Sequence, residues 1–69
     1  MDVQLGQVYE NERGGFAVRV VPNPRYFDQG RQHRFHVESS AAGRDSWRVV
    51  GRTAELAGAA WQVEQYLGV

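Results

Sequence analysis

The residues of this chain able to do chemistry are two histidines, adjacent serines, a close pair of glutamates and eight arginines. His33 and His36 are three positions apart, which on a strand puts them on opposite faces, so they are not expected to share a metal. The chain has no cysteine, and no carboxylates stand at ligand spacing to complete such a site. Ser39 and Ser40 have no evident base with an acid behind it to make either hydroxyl a nucleophile. Gly14-Gly15 precedes a strand pattern, so no helix N-terminus follows it to hold a phosphate. Glu10 and Glu12 fall on one side of an extended segment, but nothing poises them as an acid and a base. A non-enzymatic protein without metal or cofactor is the expectation.

The arginines carry more information. All eight basic residues are Arg and none is Lys. Guanidinium offers a planar fork that matches phosphate, carboxylate and guanine edges. Formal charge sums to zero, yet residues 13–52 set all eight Arg against Asp28, Glu38 and Asp45, a net +5. The two ends hold Asp2, Glu10, Glu12, Glu55 and Glu64 with no Arg, a net −5. This asymmetry predicts one positive face rather than a generally basic surface.

The elements that must position these groups follow from period and punctuation. At 69 residues the chain makes one domain, and without disulfides its core must rest on apolar burial alone. Gln7 to Glu10 is a short edge strand candidate, and the residues before it are expected to be mobile. Gly14-Gly15 makes a turn, and Phe16 to Val21 is a strand with Phe16, Val18 and Val20 on one side. Pro22 and Pro24 end it, opening a loop over 22–32 that carries Arg25, Tyr26, Phe27 and Arg31. His33 to Ser39 is the next strand, with Phe35 and Val37 inward and Arg34, His36 and Glu38 outward. Ser46 to Val50 follows, with Trp47 and Val49 inward, Arg48 outward and Gly51 breaking the run. Thr53 is the expected N-cap of a helix over 54–67, with Leu56, Ala60, Val63 and Leu67 as its buried stripe and Gly68 as its stop. Gly58 lies off that stripe, with no packing reason for it visible in the sequence.

The assembled expectation is an α+β fold: a three- to four-stranded antiparallel sheet, one face covered by a single C-terminal helix and the other open. Two surfaces compete for function. The open face would gather Arg19, Arg34, His36 and Arg48, a set suited to nucleic acid. The helix flank with Ala54, Ala57 and Trp61, together with the aromatic 22–32 loop, has the composition of a protein-contact surface. A small protein-binding regulator or inhibitor is the leading expectation and a nucleic-acid-binding domain the alternative. A symmetric dimer through a free sheet edge or the Trp61 flank suits either. No apolar run approaches the roughly 18 residues of a membrane span, which makes a soluble cytoplasmic protein the default. No motif diagnostic of a particular family is present.

Overall fold

A computed structural model describes residues 1–25, 33–41 and 46–68. Four strands run in chain order, β1 (Val8–Asn11), β2 (Phe16–Pro22), β3 (Phe35–Ala41) and β4 (Arg48–Thr53), followed by one helix, α1 (Leu56–Leu67). The strands form a single antiparallel sheet in the order β1-β2-β3-β4, and α1 packs on one of its faces. This is the α+β architecture that the alternation of β-branched residues and the helical spacing predict. The edge strand expected over Gln7 to Glu10 is present and paired as Val8–Asn11, with Tyr9 opposite Val18 and Glu10 opposite Ala17.

The core between sheet and helix is built from small aliphatic residues. Val18, Val20, Val37 and Val63 are fully buried, with Val3 and Ala59 beside them and Tyr9, Phe16, Phe35, Val50, Ala60 and Leu67 around the rim. β-branched residues suit a pleated surface, and each such side chain contributes about 1.5–3 kcal/mol when fully buried. Neither Trp belongs to this core. Of the helix stripe its spacing suggests, Val63 is buried and Ala60 and Leu67 pack against the core. Ala59 is buried beside them, whereas Leu56 at the N-terminal end of the stripe is 37% exposed.

Gly58 has a packing role at the end of β4. A Cβ there would lie 3.2 Å from the Thr53 hydroxyl oxygen, so Gly58 lets the first turn of α1 sit against the end of β4. Thr53 itself is not the N-cap. It closes β4, and its Oγ1 accepts the Glu55 N–H at 3.1 Å while its hydroxyl donates to the Glu55 carbonyl. Glu55 takes the capping position in an extended conformation, and its carbonyl accepts from Gly58 and Ala59 N–H groups. The hydroxyl thus fixes the residue before the helix rather than a donor within its first turn. Gly68 ends α1 in the left-handed region, φ 76°, donating to the Glu64 carbonyl at 2.9 Å.

The first seven residues are held in place. Val3 is 7% exposed in the core, and the Gly6 N–H donates to the Val20 carbonyl at 2.8 Å. The Met1 ammonium pairs with Glu64 of α1 at 2.6 Å, and that hydrogen bond and charge raise its pKa. Contacts to distant elements, from Val3 in the core, Gly6 on β2 and Met1 on α1, hold a segment whose sequence carries no period.

Candidate functional site

One extra residue in β4 decides which side chains share a face. Phe35, His36 and Val37 pair with Thr53, Arg52 and Gly51, but Glu38 and Ser39 pair with Val49 and Arg48, so Val50 has no partner across the ladder. A β-bulge of this kind drops one step of the two-residue alternation. Gly51, opposite Val37, faces α1 so closely that a Cβ would lie 1.8 Å from the Gln62 side-chain oxygen. In a regular strand Val49 and Trp47 would then point to the core with it. Val50 packs against the core instead, Val49 lies opposite Glu38 on the far face, and Arg48 lies opposite Ser39 on the helix side. The expected phase of this strand, with Trp47 and Val49 inward and Arg48 outward, is inverted. Gly51 does not break the run; β4 continues through it to Thr53.

The face turned away from α1 therefore carries a different set of groups. Across β2 and β3 it presents Ala17, Arg19 and Val21 against Ser40, Glu38 and His36, with Arg52 opposite His36 on β4. Arg19 is committed. Its Nε donates to Glu38 Oε1 at 2.8 Å, and the Trp47 ring lies 4.1 Å from its guanidinium carbon. The face is only partly open, since Ala17 and Ser40 are buried on it. Of the expected basic set, Arg19 and His36 share this face and Arg48 does not. Arg34 is exposed just before β3, its carbonyl accepting the Asn23 N–H at 2.9 Å. Arg52, which the sequence reading passed over, takes the place beside His36.

His33 lies before β3, which begins at Phe35, so strand alternation does not set its side. Nδ1 of His33 and Nε2 of His36 are both buried and find no hydrogen-bond partner among the described residues. Among the described residues no three His, Cys, Asp or Glu converge as metal ligands. Burial holds the His36 pKa below its ordinary value, the Arg52 charge and His33 add to this, and Glu38 opposes it. A histidine whose folded pKa lies below its unfolded value of about 6.5 leaves stability intact above that pH and withdraws it as pH falls towards the folded value. Denaturant melts of the wild type are expected to weaken steadily from pH 7 to pH 5. His36→Gln should flatten that slope; an unchanged slope would place the titrating group elsewhere.

The helix presents the other surface. Trp61 is 62% exposed and projects opposite the Ala59–Val63 side of α1, with Ala57 one turn before it. A groove of about 290 Å³ runs alongside, between α1 and the first residues, lined by Met1, Asp2, Val3, Leu56, Ala57 and Ala60. Met1 and Leu56 are among its exposed apolar groups. Arg25, expected at a protein contact, is exposed beside Asn23, whose side-chain oxygen accepts its N–H at 2.9 Å. Tyr26, Phe27 and Arg31 lie outside the described residues. No helix is long and apolar enough to cross a membrane among the described residues.

Sequence reasoning missed two asparagines that tie elements together. Asn11 accepts the Gly14 N–H and donates to the Tyr66 carbonyl, joining the first hairpin to the C-terminal end of α1. Asn23, 4% exposed, joins the end of β2 to the residues before β3. An asparagine in a turn stretch signals the turn in sequence, but not what its side chain reaches across space. Comparison with family models, with curated proteins and with solved structures finds no match to this chain, so its functional reading rests on its own geometry.

Proposed function

We propose that this protein is a small non-catalytic protein-binding module, a regulator or inhibitor, whose contact surface is the outer flank of α1. The observation that carries the reading is the exposed Trp61 beside Ala57 and the groove of Met1, Leu56 and Ala60. A large ring flanked by small residues and a concave apolar strip is the composition of an interface anchor. The surrounding charge is acidic: Asp2 lines the groove and exposed Glu55 precedes Leu56, with neither in a salt bridge among the described residues. The partner this surface fits is a protein segment that offers an apolar side chain between basic ones.

A nucleic-acid reading has less support. Arg19 is taken up by Glu38 and Trp47, Arg48 lies on the helix side, and the His36 pKa is lowered. The test is capture from lysate with wild-type, Trp61→Ala and Asp2→Asn/Glu55→Gln baits, compared quantitatively. Trp61 is exposed, so its removal should cost under about 0.5 kcal/mol of stability. A protein recovered by the wild type and depleted at least about tenfold by Trp61→Ala is the expected result. Equal recovery by all three baits, or recovery of nucleic acid that high salt removes, would overturn the reading.

A further inference from the structure

The bulge at Val50 has a chemical consequence on the helix side of the sheet. It turns Arg48 into a cavity of about 500 Å³ at the C-terminal end of α1, lined by Phe16, Ser39, Ala41, Ser46, Arg48 and Tyr66. Bulges are over-represented where a side chain must be re-aimed, and this volume is that of a small-molecule site. Phe16 and Tyr66 form one wall, edge to face with centroids 6.3 Å apart. Arg48 makes no ion pair, and the hydroxyls of Ser39 and Ser46 make no hydrogen bond, among the described residues.

The bland use for an arginine here would be to cap the carbonyls that end α1. Those near the cavity are already met, since Asn11 donates to the Tyr66 carbonyl and Gly68 to those of Glu64 and Gln65. A guanidinium and two hydroxyls therefore line a cavity together with aromatic and apolar side chains, and Ser39 lies directly opposite Arg48. Guanidinium binds carboxylate with two parallel hydrogen bonds, which hydroxyl donors can supplement.

We infer that this cavity binds a carboxylate joined to an aromatic or branched apolar group, the acid on Arg48, Ser39 and Ser46 and the apolar body against Phe16, Tyr66 and Ala41. The same chemistry is offered by a free small organic acid and by the C-terminal residue of a peptide. This site is separate from the Trp61 flank, since Tyr66 and Trp61 lie on opposite sides of α1, and either can fail without the other.

The experiment is an NMR titration of backbone amide shifts with 3-phenylpropionate, 3-phenylpropionamide and N-acetyl-phenylalanine. Wild-type protein is expected to bind the acid near millimolar, as a ligand of this size allows. Shifts should centre on Phe16, Ser39, Ser46 and Tyr66, and the amide should bind at least about tenfold more weakly. Tighter binding of N-acetyl-phenylalanine than of 3-phenylpropionate assigns the acid to a chain terminus, and the reverse order to a free acid. Arg48→Gln, at an exposed position, should match the amide's loss with the acid, and Arg48→Lys should recover part of it. Equal binding of acid and amide, unchanged binding by Arg48→Gln, or no shifts at these residues would each overturn the assignment.

Discussion

Asn23→Ala is expected to lower the thermal unfolding midpoint by roughly 10–20 °C. Asn23 is 4% exposed, and its side chain bridges both ends of the connection between β2 and β3. The amide Nδ2 donates to the His33 carbonyl at 2.6 Å, Oδ1 accepts the Arg25 N–H at 2.9 Å, and its own N–H donates to the Arg34 carbonyl at 2.9 Å. Alanine keeps only the main-chain bond. The exposed Arg25 N–H can return to water, but the His33 carbonyl is less free to do so. Leaving a buried acceptor unsatisfied costs about 1–3 kcal/mol, and the lost turn adds to it, for a total of roughly 2–3 kcal/mol. In a domain of this length each kcal/mol moves the midpoint by about 4–8 °C. Asn23→Asp keeps the acceptor while setting a carboxylate against the His33 carbonyl, so it should not rescue the loss. A shift under about 3 °C for the alanine variant, followed by circular dichroism, would show that the closure of this segment rests on other contacts.

The second large effect is expected at Trp47. The indole lies over the face of the Arg19 guanidinium while Glu38 accepts at its edge, and the Arg19 side chain is 32% exposed while that of Glu38 is 17% exposed. Trp47→Ala removes the stacking and admits water to the ion pair, so a loss of roughly 1.5–2.5 kcal/mol is expected. An exposed pair is worth about 0–1 kcal/mol, and this one should stand at the top of that range only while the indole covers it. Glu38→Gln should therefore cost less in the Trp47→Ala background than in the wild type, with a coupling of about 0.5–1 kcal/mol. Urea titrations of the four proteins measure it. Strict additivity would mean that Trp47 and Glu38 act on Arg19 independently.

Both effects lie outside what the sequence states, yet much of the fold was legible there. The order of strands and helix followed from local signals: alternating Val and Phe along β2 and β3, the Gly14-Gly15 turn, the prolines at the end of β2 and just beyond it, and apolar residues at helical spacing in α1. These signals depend on neighbours in the chain, and local neighbours survive unchanged into the fold. The exposure of Trp61 was legible as one of two outcomes, because helical spacing places it opposite the core stripe but does not say whether the sheet curls round to meet it.

The faces of β4 were not legible. The alternation of Trp47, Arg48 and Val49 is a local pattern, but which phase points inward is set by pairing with β3, where Val50 is passed over between Gly51 and Val49. Around that omission Gln62 of α1 lies against Gly51 and Val50 packs on the core, contacts between residues distant in sequence. The omission moved Trp47 onto Arg19 and Arg48 into the cavity beside Tyr66, and so changed the expected basic face into one where Arg19 is paired with Glu38 and Arg52 stands beside His36. The same reason hid Asn11, Asn23 and the burial of Val3. The sequence by itself determined the elements, their order and the residue types available, because propensity and period act within a few residues. Only the tertiary structure decided which functional groups meet, because one unpaired residue in a strand inverts every side chain beyond it.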